Sequence, residues 1–177
     1  MSDTPNSDEF KNFCDAHFTD ADLASVRTSK YELLLGMYEC SVPFDPQFVI
    51  STLDDVHLRD ALFRRFTDSF MIPLAGEEAT LTQMHNKRVD FTDFLCISAN
   101  QAGESSAFWA TCAGIAALSG EMEAARQAIE IGESNGYSSP LGALIKRAAE
   151  LPLSAGYRRW VESVESHTVE EYLSGNL

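Results

Sequence analysis

Residues 105–150 read SSAFWATCAGIAALSGEMEAARQAIEIGESNGYSSPLGALIKRAAE, and this stretch decides the fold. Ala107 to Leu118 is a near-continuous run of small and apolar residues, which a helix carries only when neighbours cover most of its circumference. It reads as the central helix. Ser119-Gly120 breaks it, and Glu121 to Glu133 supplies a second helix whose first turn holds acids, where the helix dipole favours negative charge. Asn135-Gly136 is a C-terminal stop, and Ser139-Pro140 opens a third helix that ends before Pro152. Successive helices joined by short turns predict an all-α fold, a compact bundle of antiparallel helices built around one helical hairpin.

Working outward, residues 156–166 form another candidate helix through Tyr157, Trp160, Val161 and Val164, and Thr168-Val169-Glu170-Glu171 fits a capping box. On the other side, Phe91 to Ala99 reads as helix, with a weakly helical stretch from Glu77 to Asn86 before it. Pro73 and Gly76 punctuate the chain. Leu58, Leu62, Phe63 and Phe66 share one helical face, with Asp54 or Asp55 as cap and a 55/59 acid–base spacing suited to an ion pair. Asp45-Pro46 is a cap and first-turn pair for a helix through Phe48, Val49 and Leu53. A helix carrying Tyr31, Leu34, Leu35 and Tyr38 starts near Asp20 or Ser29 and stops before Pro43. The expected organisation is an acidic, partly frayed segment over residues 1–24, a single helical domain over 25–166, and a tail or short helix over 167–177.

The 27 acidic residues against 13 Lys and Arg give a net charge of −14. That argues against direct binding to a nucleic-acid backbone, where affinity comes from clustered cations. It suits either simple solubility or attraction of a basic partner. The expected location is cytoplasmic, with no membrane association: no run reaches the length of a membrane span, and Met1-Ser2-Asp3-Thr4-Pro5 lacks the pattern of a signal peptide. Cys14, Cys40, Cys96 and Cys112 lie far apart, none in a CxxC pair, and read as separate reduced thiols.

Trp109, Ala113, Gly120, Ala125, Ile129 and Gly132 follow the large–small spacing of a tetratricopeptide repeat, so the hairpin over about residues 106–139 resembles one such unit. A broader resemblance rests on Leu53-Asp54-Asp55-Val56-His57-Leu58-Arg59-Asp60-Ala61-Leu62. It continues with Phe108 to Gly120, then with Glu123 to Ile129 and Pro140-Leu141-Gly142-Ala143-Leu144. Over roughly residues 50–150 this pattern is similar to the actinobacterial domain-of-unknown-function family 4192. That resemblance implies a helical fold and carries no activity with it.

Chemistry-bearing motifs are missing from the sequence. His17, His57, His85 and His167 form no metal-ligand spacing, and the glycines form no phosphate-cradling loop, so no catalytic residue, cofactor or metal ligand is expected. Asp54, Asp55 and Asp60 with Arg59 are the densest charge cluster and read as caps and ion pairs. Asn86-Lys87-Arg88, with Asp90 and Asp93 beyond it, reads as a solvated loop. The interaction-surface candidates are Tyr157 and Trp160 near the C-terminus and Phe10 and Phe13 near the N-terminus.

The expected function is a non-enzymatic helical protein–protein interaction module that meets an unidentified protein partner through either its acidic face, which suits a basic partner, or exposed aromatics such as Tyr157 and Trp160. The alternatives are an acidic inhibitor or nucleic-acid mimic of a mobile element, and a small enzyme with an unrecognised site. Trp109 is expected at the heart of the core, facing the helix that follows Gly120.

Overall fold

The computed structural model describes residues 20–68, 78–118, 121–150, 164 and 166–175. Among them the chain forms eight helices and no strand, the all-α architecture that the sequence predicts. They are α1 (Asp20–Tyr38), α2 (Pro46–Thr52), α3 (Val56–Asp68), α4 (Glu78–Ala102), α5 (Ser106–Leu118), α6 (Met122–Ser134), α7 (Pro140–Glu150) and α8 (Val169–Ser174).

Short polar side chains set the starts of α2, α3, α5 and α7 by taking up first-turn N–H groups that have no partner inside the helix. Asp45 accepts from the Phe48 N–H at 3.1 Å, with Pro46 in the first turn behind it. Asp55 Oδ1 accepts from the His57 and Leu58 N–H groups at 3.0 and 3.4 Å. Ser105 and Ser139 do the same for α5 and α7, accepting from Phe108 at 3.1 Å and Gly142 at 2.9 Å. Two sequence readings are corrected here. The other oxygen of Asp55 accepts from Arg27 Nε at 3.2 Å, so its ion pair ties α3 to α1 rather than spanning one turn to Arg59. Residues 78–102 form one helix of 25 residues, so Asn86-Lys87-Arg88 lies within a helix and not in a loop. No Gly or Pro interrupts that segment until Gly103, whose φ of 99° ends it.

Ten of the thirteen residues of α5 are buried, which makes it the central helix. It packs against α3 and α4 on one side and against α6 and α7 on the other. The first side is filled by large residues: Leu34, Leu53, Leu58, Leu62, Phe63, Phe91 and Leu95 join Phe108, Ile115 and Leu118 in one cluster. The second is a seam of small residues, Ala113, Ala117 and Ala125, closed by Ile129 and Ile145. The buried hydroxyls are satisfied locally: Thr111 donates to the Ala107 carbonyl at 2.7 Å and Ser98 to that of Phe94 at 2.8 Å. Such pairing removes the cost of burying them.

The ends of α6 and α1 share one geometry. After α6, the Tyr137 N–H donates to the Gly132 carbonyl and the Gly136 N–H to that of Glu133, with Gly136 at φ 86°. This is a Schellman motif, which favours glycine at the left-handed position. After α1, Ser41 donates to Gly36 and Cys40 to Met37 in the same pattern, but Cys40 occupies the left-handed position at φ 57°.

The capping box expected at Thr168 forms in full: Glu171 N–H donates to Thr168 Oγ1 at 3.1 Å, and Thr168 N–H to Glu171 Oε2 at 2.7 Å. The helix it starts, α8, packs on α1 and α3 and buries Tyr172 and Leu173. Tyr172 Oη donates to the Val164 carbonyl at 3.3 Å, and Arg64 Nε donates to the His167 carbonyl at 2.6 Å.

Candidate functional site

Where the C-terminal end of α1 meets the middle of α4, the structure forms an open groove of about 590 Å³, lined by Tyr38, Glu39, Asp90, Asp93, Phe94 and Ile97. Asp90, Asp93, Phe94 and Ile97 fall at i, i+3, i+4 and i+7 of α4, so the helical repeat places them in one stripe. Tyr38 closes the groove from the last turn of α1. Its ring stands edge-on to Phe91, with centroids 5.0 Å apart, and to Phe94 at 5.7 Å. Phe91 is fully buried and anchors this aromatic group to the core. Phe44 stacks at a tilt on Phe94, with centroids 5.7 Å apart, and is itself exposed.

The floor is apolar and the rim is acidic. Ile97 is 52% exposed, a large apolar side chain left half in water. Glu39, Asp90 and Asp93 are all exposed, and Arg65 pairs with Glu39 at 3.4 Å from the α3 side. The phenol of Tyr38 responds to these surroundings. Burial pushes its pKa up, the charges of Asp90 and Glu39 push it further, and Arg65 opposes them. The local potential is therefore negative over an aromatic surface. Such a surface suits a cation with an aliphatic stem, because ring faces attract cations and carboxylates pair with them.

The sequence-predicted candidates Tyr157, Trp160, Phe10 and Phe13 lie outside the described residues. Sequence reasoning missed the groove because it needs two elements brought together. Tyr38 read as an apolar position of its helix, and Asp90 and Asp93 read as flanks of a loop. The i, i+3, i+4, i+7 stripe on α4 was the available signal.

Trp109 is corrected as well. It does face α6, where a Cβ added at Gly132 would lie 2.8 Å from its Cγ, but it is only partly buried and packs from the edge against the large-residue cluster. The indole N–H needs an acceptor, and it finds one outside the core in the exposed Glu104 carboxylate at 3.1 Å. The seam is closed instead by Ile129 and Ile145. Between Trp109, Ile129, Tyr137, Ser139 and Gly142 lies a hollow of about 10 Å³. That is about the room one water molecule needs.

The Asp54, Asp55, Arg59 and Asp60 cluster does not converge on a point. Asp55 turns to its cap and to Arg27, while burial pushes the carboxyls of Asp54 and Asp60 up against the opposing charge of Arg59. Among the described residues, no three His, Cys, Asp or Glu side chains come together as a metal site, and no helix is long and apolar enough to cross a membrane. Two cysteines that read as separate are neighbours: Cys96 packs against the buried cluster that holds Cys112, and each thiol shifts the pKa of the other.

Fold and groove together define an all-α protein with an acidic, aromatic-floored surface groove. No protein-family model matches the chain, and neither a curated protein nor a solved structure is found to match it.

Proposed function

We propose that this protein is a non-enzymatic interaction module whose groove at Tyr38, Phe94 and Ile97 docks a partner protein through a Lys- or Arg-bearing segment. The observation that supports the reading is the juxtaposition of three exposed carboxylates, Glu39, Asp90 and Asp93, with a half-exposed aromatic and aliphatic floor. The aliphatic stem of a basic side chain covers the floor while its charged head reaches the rim. A cation over an aromatic face contributes about 0.5–1 kcal/mol at an exposed site, so several such contacts are needed for useful affinity. The net charge of −14 adds long-range attraction and speeds encounter with a basic partner. Kinship with family 4192 belongs to the same proposal. Its Arg-Asp-Ala-Leu pattern falls on α3 and its Ala- and Trp-rich pattern on α5, two helices that pack together.

Titrating the protein with an amphipathic Arg- and Lys-containing peptide, followed by NMR amide shifts, tests the reading. Shifts are expected at the end of α1 and along residues 90–97, weakening with salt. Asp90→Asn with Asp93→Asn is expected to cut affinity about tenfold, since each lost charge-assisted contact at an exposed site is worth up to about 1 kcal/mol. Shifts spread evenly over all acidic surfaces, or equal binding of an acidic control peptide, would sink it.

A further inference from the structure

Cys96 and Cys112 lie eight residues to either side of Glu104, in the turn that joins α4 to α5. The two helices pack against each other. Equal offsets from the turn of a helical hairpin put two residues at the same height, and Cys96 packs against the buried cluster to which Cys112 belongs, close enough for each thiol to shift the other. The two sulfurs differ in access. Cys112 is buried at 7% exposure on the central helix α5, while Cys96 is half-buried, next to the exposed Ile97. One thiol is reachable from outside and the other is held behind it.

We propose that Cys96 and Cys112 form a redox-modification site, in which Cys96 reacts with a hydroperoxide and Cys112 resolves the product into a disulfide across the α4–α5 hairpin. In the first step the Cys96 thiolate attacks the peroxide. A sulfur–oxygen bond forms and the oxygen–oxygen bond breaks. The sulfur loses two electrons to become a sulfenic acid, and the alkoxide or hydroxide leaves as alcohol or water after taking a proton. In the second step the sulfur of Cys112 attacks that of Cys96. The sulfur–sulfur bond forms, the sulfur–oxygen bond breaks, and the departing hydroxide takes the Cys112 proton and leaves as water. A dithiol reverses the change by exchange, restoring both thiols and leaving as its own disulfide.

The surroundings divide the two roles. The hydrogen bond from Cys112 stabilises the Cys96 thiolate and lowers its pKa to about 7, outweighing burial and the charges of Asp93 and Glu104, which act the other way. Cys112, as donor and buried, is held protonated, its pKa pushed up. It stays unreactive until the neighbouring sulfur is oxidised. Thiolate character together with access is what marks a sensor cysteine.

The test treats the full chain with hydrogen peroxide, blocks the remaining thiols and maps peptides by mass spectrometry. The expected result is a bridged pair of peptides carrying Cys96 and Cys112, lighter by two hydrogens, while exposed Cys40 remains alkylatable. Cys112→Ala is expected to leave Cys96 as a sulfenic acid trapped by dimedone, and Cys96→Ser to leave Cys112 unoxidised, with circular dichroism confirming that both variants fold. Alkylation of Cys96 in the untreated protein is expected to rise with a midpoint near pH 7. A free thiol of pKa about 8.5 is only about 3% thiolate at pH 7, and the lower nucleophilicity of a more acidic thiolate takes back part of the gain, leaving Cys96 about threefold faster. Oxidation of Cys40 ahead of Cys96, over-oxidation of Cys96 with no bridge, or an alkylation midpoint in the ordinary thiol range would each overturn the proposal.

Discussion

Two aromatic rings in this protein are each seated on a glycine of a neighbouring helix: Phe63 of α3 on Gly114 of α5, and Trp109 of α5 on Gly132 of α6. The device is the same, since a missing Cβ lets a ring approach the partner backbone closely. The depth is not. Phe63 is 2% exposed and surrounded by the large-residue core, whereas Trp109 lies partly in solvent with its indole N–H bonded to an exposed carboxylate. Large–small complementarity therefore decides which helices pair and leaves open how far inside the pair lies. The polar edge of the ring settles depth, because a phenyl ring demands nothing of its surroundings and an indole demands an acceptor.

Substitutions at these positions break the comparison apart. Phe63→Ala is expected to have the largest effect, about 3–5 kcal/mol in urea unfolding, because it leaves a cavity that packed neighbours cannot close. Gly114→Ala follows, at about 1–3 kcal/mol. The added methyl runs into the Phe63 ring, which has no free space to retreat into, and the strain outweighs the helix propensity gained. Trp109→Ala is expected to be mildest, at about 1–2 kcal/mol, since the lost ring was already part solvated and water fills its place. A cost for Trp109→Ala equal to that of Phe63→Ala would show that the α5–α6 contact depends on the indole as the α3–α5 contact depends on the phenyl.

Much of the architecture was legible because it is decided locally. The caps at Asp45, Asp55, Ser139 and Thr168 are readable from neighbouring residues, and the all-round apolar character of Ala107 to Leu118 marks a surrounded helix. What escaped depends on residues far apart in the chain. The Arg27–Asp55 pair joins positions 28 residues apart, and local spacing offered Arg59 instead. The groove needs Tyr38 and Phe94 on separate helices. The Cys96–Cys112 contact could be found only by counting outward from Glu104, once the two helices were known to fold back on each other. Residues 77–99 were divided because apolar content falls toward their start, although no helix breaker interrupts them.

The placement of α8 has a consequence for the order in which this chain is assembled. The bond from Arg64 to the carbonyl of His167 spans 103 positions, and α8 rests on α1 and α3. The seam of α5, α6 and α7 is closed by contacts between consecutive helices and can form as soon as they are made. The part of α1 and α3 that α8 covers must wait, uncovered, until Tyr172 and Leu173 have been synthesised. The chain thus has a fast-closing half and a late-closing half. During that wait the α1–α3 surface is where a nascent chain is exposed to chaperones and to other copies of itself.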